Sequence, residues 1–551
     1  MDYIAIYVAS MKPARRVHLE IQKHRSSFYG VLRSSFREDG QVKHSNHGRI
    51  TGLALEELHL IQAAFRGEVV PKDSPEAFQV LSSKEHGASS ALLALAKDLG
   101  LPQMLYSRNE PWVNDCMAMI IGRILYAGSK LSLSHQWKNT VLWELCGVTG
   151  PVDVEEHCYE PMDRLLDRQR AIQKALASKY LREGCLVLYD ISSSYFEGAY
   201  EESEIVLFGY NRDRKRGHEQ ICLGLLCNEQ GCPVGVEVFP GNTQDASTVL
   251  KKVKELQSEY GLKKVIFVGD RGMVTQANAK ELQAVEGLHL ISALTHQQIV
   301  QLLERKVITV ELFDEKKVVE VIDPENPKLR YELCRNPESA KREGVTRQRL
   351  VDLTQEGLRK IAKSPRKASD EKVGARVGRV LQQFKMGKFV VWKVVEGKLE
   401  WSLDEAKIAQ EKLFDGCYII KSNVPVEQMP QQKVVASYKS LSLVETAFRN
   451  LKTVSLEMRP VFHKRDDRIR AHVFLCVLAY HVQWHAQQRL KPLFAKDGKG
   501  KDRQWTFSNV MERLKALRRQ RVRVSRVEFD QVAEAEEDQK EILDLLKGKK
   551  P

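Results

Sequence analysis

The sequence predicts a multidomain protein of mixed α/β class, whose central domain is a sheet with helices on its faces. Three observations carry this. Residues 184 to 296 read as strand, strand, strand, helix, strand, helix, strand, an order that builds a mixed sheet. A purely helical stretch precedes them, and strand-like runs follow. The chain is 551 residues long with 43% hydrophobic and 29% charged residues, enough for several domains and a large core.

Taken in order, residues 1–85 form a small N-terminal module, in which "VHLEIQKHRSSFYGVLRSSF" reads as strands and "ALEELHLIQAAFRG" as a helix. Residues 86–183 have helical period nearly throughout, as in "PWVNDCMAMIIGRILYA" and "PMDRLLDRQRAIQKALASKYL". The texture then changes. "LVLYDIS" (186–192), "QICLGLLCN" (220–228) and "VGVEVFPG" (234–241) are strands, the last two joined by a tight turn at "EQGCP". A helix over "NTQDASTVLKKVKELQSEYG", a strand "KKVIFVGD" (263–270), a helix over "TQANAKELQAVEG" and a strand "LHLISALT" (288–295) complete the block. Residues 297–436 are β-rich, with one charged helical stretch near 338 to 363. Residues 437–490 return to helical period, and 491–551 run basic and then acidic.

A formal net charge of +14 points to a polyanionic partner, because Lys and Arg that neutralise phosphates release counterions. No apolar run reaches the length of a membrane span, and the N-terminus lacks the pattern of a signal peptide, so the expected compartment is the cytosol. The ten Cys residues are scattered, which favours free thiols over a disulfide framework. Cys222, Cys227 and Cys232 cluster, but at a spacing that fits buried thiols better than zinc.

Two apolar runs end on a carboxylate: "LVLYDIS" at Asp190 and "KKVIFVGD" at Asp270. Burying an unpaired carboxylate is costly, so each Asp caps a turn at a strand tip or meets a cation. Parallel neighbours ending in Asp would bring both carboxylates to one edge of the sheet, where ligands collect. A third carboxylate, Glu445, lies on a predicted helix with Tyr438, Arg449 and Lys452 on one face and Leu441, Val444, Phe448 and Leu451 as the adjoining apolar stripe. The alternative for Glu445 is a solvated pair with Arg449. Two Asp and one Glu converging would suit Mg²⁺, and two such ions suit in-line displacement at phosphorus.

Beside this reading stands a resemblance. The central block "LVLYDIS…FGYNRDRKRGHEQICLGLLCNEQGCPVGVEVFPGNTQD…VIFVGDRGM", with "YKSLSLVETAFRNLKT" and "MRPVFHKRDDRIRAHVFLCVLAY" further on, resembles the DDE transposases of the bacterial insertion-sequence four superfamily. The resemblance implies a ribonuclease-H-like catalytic core with a mixed five-stranded sheet, interrupted by a β-rich insertion before the Glu helix. It implies cleavage at terminal inverted repeats and strand transfer into target DNA, with Asp190, Asp270 and Glu445 as catalytic residues and metal ligands. Two Mg²⁺ ions are implied, Mn²⁺ substituting, as are DNA as partner, a homodimer in the synaptic complex and a bacterial, nucleoid-associated location. Tyr438 and Lys452 match the family signature around the Glu and are implied DNA contacts, but the Arg of that signature is replaced by Leu441, for which Arg449 is a substitute. Arg271, beside Asp270, is a further candidate phosphate contact, and the helical stretch 86–183, with the N-terminal module, is the candidate reader of the DNA ends. Asn242 and Asp245 match the family block too and read as caps of the helix starting near Thr243, in preference to a direct catalytic role. The five arginines at 518, 519, 521, 523 and 526 are phosphate contacts or a solvated surface in equal measure.

Three rivals differ in what they need. A glycosidase-type carboxylate pair has no use for metal or for the basic charge. An inactive DNA-binding regulator has no use for an intact triad. A ribonuclease-H-like nuclease is separated only by an assay of strand transfer.

Overall fold

The computed structural model of the chain describes residues 17–24, 27–38, 40–66, 78–212, 215, 217–275, 278, 281–282, 284–314, 317–364, 368–496, 504–524 and 527–548. It divides into two compact units, Met1–Ile172 with Arg449–Pro551, and Gln173–Phe448.

The first unit opens with an antiparallel three-stranded sheet, β1 (Val17–His24), β2 (Ser27–Glu38) and β3 (Gln41–Ile50). One face is closed by α1 (Leu55–Arg66), whose Leu58 and Ile61 meet Leu19, Leu32 and Ile50. A fourth strand, β4 (Phe78–Glu85), leads into α2 (Gly87–Asp98). The buried Glu85 carboxylate accepts the first amides of α2, from Ala88 at 2.8 Å and Ser89 at 3.2 Å, and hydroxyls from Tyr126 at 2.9 Å and Thr140 at 3.0 Å. It therefore satisfies donors that a helix start leaves orphaned. Helix α3 (Pro111–Leu125) starts on Pro, where the missing N–H costs nothing, and 13 of its 15 residues are buried. Helix α4 (Glu160–Asp167) packs beside it.

The second unit is built on an eight-stranded sheet. Five strands are those expected from the sequence: β5 (Leu186–Tyr195), β6 (Gln220–Asn228), β7 (Pro233–Pro240), β8 (Val265–Gly269) and β9 (Leu288–Ala293). All nine residues of β6 and all five of β8 are buried, as strands covered on both faces must be. The β6–β7 turn closes because Asn228 Oδ1 accepts from the Gln230 and Cys232 amides at 3.1 and 2.9 Å, while Gly231 adopts φ +82°. The sheet exceeds five strands because β10 (Val319–Ile322), β11 (Arg330–Arg335) and β14 (Cys417–Ser422) join it. The order is β10-β11-β14-β9-β8-β5-β6-β7, with β5, β8 and β9 mutually parallel and every other pair antiparallel. Helix α5 (Asp245–Ser258) buries Val249, Val253 and Leu256. Of the helix expected over "TQANAKELQAVEG", Asn278, Glu281 and Leu282 are helical, and residues 276, 277, 279, 280 and 283 lie outside the described residues.

Between β11 and β14 the expected charged helix is α6 (Pro337–Ala362). A second helix, α7 (Asp370–Phe384), was not expected, and packs with α6 and the hairpin β12 (Val390–Val395) and β13 (Lys398–Leu403) around Leu358, Val377, Leu381 and Leu399. The unit ends at Phe448, after α8 (Gln431–Lys439) and all but the last residue of α9 (Leu441–Arg449).

The chain then returns to the first unit. Helix α10 (Asp466–Arg489) packs on α3 and α4. Strands β15 (Arg518–Val524) and β16 (Val527–Val532) form a sheet with β4 in the order β16-β15-β4. The β15 arginines take acidic partners: Arg519 pairs with Glu144, and Arg521 and Arg523, both exposed, share Glu528. Arg526 lies outside the described residues. All ten cysteines are free. Among the described residues no single helix is long and apolar enough to cross a membrane.

Candidate active site

Strand β5 runs parallel to β8 in the register Leu186↔Ile266 to Tyr189↔Gly269. Asp190 and Asp270 are therefore the next two residues in register, on strands about 4.8 Å apart. The structure corrects one expectation here. Asp190 does not end its strand but is the fifth of ten residues, because "SSSY" continues in antiparallel pairing with β6 as far as Tyr195↔Gln220. What ends at this level is the pairing with β8, whose chain leaves the sheet at Asp270. Alternation sends Tyr189 to the opposite face from Asp190. Tyr189 is accommodated by Gly224, where an added Cβ would sit 2.3 Å from its hydroxyl oxygen.

The two carboxylates differ in setting. Asp270 is exposed, its Oδ1 accepting from the Arg271 amide at 2.7 Å. Asp190 is half-buried, with Oδ1 accepting from the Ile191 amide at 2.7 Å. Burial pushes its carboxyl up to about 7; the Ile191 amide and Arg212 oppose the rise, while Asp270 and Asp245 add to it.

Helix α8 reaches this edge from far along the chain, and α9 follows it directly. The Tyr438 hydroxyl donates to Asp270 Oδ1 at 3.2 Å. Burial and the Asp270 charge both raise the Tyr438 hydroxyl above its ordinary value. Five residues on, Leu443 packs against the β6–β7 turn, where a Cβ on Gly231 would lie 2.7 Å from Leu443 Cβ. This second contact lies toward the other end of β5, because the register Val187↔Asn228 sets the β6–β7 turn beyond the start of that strand. On α9, Leu441, Val444 and Phe448 are buried, as the apolar stripe predicts, and Glu445 and Arg449 are exposed. The departure from the signature Arg thus places Leu441 in the core-facing stripe.

Lys452 departs from the expected face. It sits in a π-turn, Asn450–Val454, and is buried. The wider turn rotates the positions after Arg449 relative to a continuous α-helix, so Lys452 leaves the exposed side that Glu445 and Arg449 share. Arg271 lines a cavity of about 740 Å³ with Arg342, Lys385, Glu343 and two ion pairs, Lys388 with Glu411 and Arg347 with Asp415.

The transposase DDE domain family matches residues 191–482, more than half of the chain. The chain is a DDE transposase. Asp270 and Glu445 fall inside the matched span, and Asp190 immediately precedes it. The transposase cleaves DNA, and its family uses divalent metal ions. No curated protein matches the transposase. A solved structure described as the cryo-EM structure of a piggyBac transposase synaptic complex with hairpin DNA is similar, covering 78% of this chain and 76% of that chain at 11% identity with a TM-score of 0.34.

The donor set fits a divalent cation. Two hard carboxylates stand side by side at one sheet edge, and the more buried one is penalised as an anion until a positive charge joins it. Sequence reasoning preferred a cap for a third acidic group of the transposase near these carboxylates. Asp245 is not a cap, since the N-cap of α5 is Gln244 and makes no side-chain cap bond. Its carboxylate instead pairs with Arg212, which also influences Asp190. The guanidinium wins because it arrives from "YNRDRKRG", 33 residues away, where a cap assignment made from local spacing does not look. The quoted blocks around Arg212 and Asp245 held the signal, but not their pairing.

Proposed function

We propose that Asp190, Asp270 and Glu445 are the catalytic carboxylates of this transposase, in a ribonuclease-H-like core of the insertion-sequence four branch. The reading is supported above all by the register that makes Asp190 and Asp270 neighbours, with Tyr438, seven positions before Glu445, bonded to Asp270. The three side chains offer hard oxygen ligands for two Mg²⁺ ions, with Mn²⁺ able to substitute. Bound ions of this kind supply charge stabilisation and an activated attacking oxygen for in-line displacement at phosphorus. Tyr438 holds the Asp270 carboxylate in place and faces the DNA end. Arg271 and Arg449 take backbone phosphates, Arg449 standing in for the signature Arg. The reaction is cleavage at terminal inverted repeats followed by joining of 3′-hydroxyls to target DNA, carried out by a homodimer that holds two ends.

The test is cleavage and strand transfer on DNA carrying the ends of the element that encodes this chain, with Mg²⁺ or Mn²⁺ against EDTA. Wild type joins ends only with metal, and Glu445→Gln binds ends without cutting them. A Glu445→Gln protein of full activity would remove Glu445 from the site.

A further inference from the structure

The N-terminal sheet has two unlike faces. Alternation along β2 puts Gly30 and Leu32 on one side and Tyr29, Val31, Arg33, Ser35 and Arg37 on the other. The first side is covered by α1, and Gly30 admits it closely, since a Cβ there would lie 3.2 Å from Leu58 Cδ2. On the second side Ser35, Arg37, His44, Asn46 and Arg49 are exposed.

That exposed side is ordered across its strands. Arg49 stands opposite Val31, Asn46 opposite Arg33 and His44 opposite Ser35. Arg33 Nε donates to Asn46 Oδ1 at 2.9 Å, and the Arg33 guanidinium also pairs with Glu20. The Arg49 guanidinium lies 5.4 Å from the Tyr29 ring centroid, and the Tyr29 hydroxyl donates to Gln22 at 2.8 Å. The face thus presents three arginines against one glutamate, with Asn, Gln, His and Tyr between them. A register shift between Leu32 and Arg33 adds a bulge, which sharpens the twist of the sheet beneath these side chains.

We propose that this face reads base edges in the major groove of duplex DNA, at the ends on which the transposase acts. The major groove admits β-strands as well as a helix. Arg forks match the guanine edge and carboxamides the adenine edge, and surplus positive charge supplies counterion release. The assignment moves end reading from the helical stretch to the sheet, and α3, buried nearly all round, has no free face for a groove. It rests on the proposed function only for which DNA is read.

The test is equilibrium binding of the full chain, in EDTA, to a duplex carrying a terminal inverted repeat of the element that encodes it and to a scrambled duplex of equal length. Arg49→Ala and Arg37→Ala each lower affinity for the end by about tenfold and reduce the preference over scrambled DNA. Arg49→Lys keeps the charge and loses the fork, so preference falls while scrambled binding holds. Lys43→Ala removes equal charge from the other face, opposite Phe36, and leaves the preference intact. The proposal is overturned if the Arg variants keep the wild-type preference, if both duplexes weaken equally, or if Lys43→Ala loses as much. Catalytic failure is read separately, as end binding without joining.

Discussion

Tyr438 donates its hydroxyl to Asp270 Oδ1 at 3.2 Å across 168 positions of sequence. The bond ties the start of the Glu445 region to the end of β8. Removing the hydroxyl leaves the ring packing in place and frees the carboxylate to rotate. Tyr438→Phe is expected to slow strand cleavage about tenfold at saturating DNA, the scale of one hydrogen bond to a charged group. Single-turnover cleavage measures this, and an unchanged rate would assign Tyr438 a packing role only.

Asp190 should trade stability for metal binding. In chelator, Asp190→Asn is expected to melt above the wild type, because it removes a half-buried anion beside Asp270 and Asp245. Adding Mn²⁺ should raise the melting temperature of the wild type, by an amount corresponding to about 2.7 kcal/mol at a hundredfold excess over Kd, and leave the variant where it was. Equal metal responses in the two proteins would take Asp190 out of the ligand set.

Glu332, in β11, is fully buried with both carboxylate oxygens lacking a hydrogen bond, and its nearest cation is Arg330 at 3.6 Å. Burial pushes its carboxyl up to about 7, Arg330 opposing and Glu320 adding. The folded chain therefore keeps a proton that the unfolded chain releases above its ordinary value of 4.5, and stability falls as pH rises from there to about 7. Glu332→Gln should remove that fall. Its stability relative to wild type is expected to grow between pH 5 and pH 8 in chemical denaturation, whereas a constant difference would mean that Glu332 does not titrate in this window.

Lys252 is 2% exposed on α5, with its ammonium 2.7 Å from Glu255 and 3.4 Å from Glu237. Removing one member of a buried ion pair strands the other charge. Lys252→Met is expected to cost about 3 kcal/mol or more of unfolding free energy. The double variant Lys252→Met with Glu255→Gln should recover part of that loss, and no recovery would locate the cost in packing.

The strands of the central sheet were legible because their apolar runs are short and bounded by turn residues, as in "KKVIFVGD" and the hairpin at Gly231. The neighbouring carboxylates were legible for the same reason: each follows such a run. Long-range pairing was not. Nothing local shows that "SSSY" stays in β5, since its polar residues are held by β6, or that β14 pairs with β9 after more than a hundred intervening residues. Asp245 looked like a cap because Arg212 is distant in sequence, and Lys452 looked outward because a π-turn is invisible to a helical wheel. The arginines of β15 stood equally between phosphate contacts and a solvated surface, and their partners Glu144 and Glu528 are beyond local pattern.

Arg335 and Cys417 face each other in adjacent antiparallel strands, and the Asn336 amide donates to Gly416 O at 2.8 Å. Everything from 336 to 416 thus departs and returns through a single gate one strand spacing wide, and carries its own apolar nuclei around Leu381 and Phe389. Such a segment behaves as a cassette. Closing a loop costs only slowly more as it lengthens, so the length of the segment weighs little on the pairing of β14 with β9, while its Arg342, Lys385 and Lys388 still line one cavity with Arg271. The helix bearing Glu445 is reached only through β14, which makes the size of the cassette and the placement of the carboxylate separate inheritances.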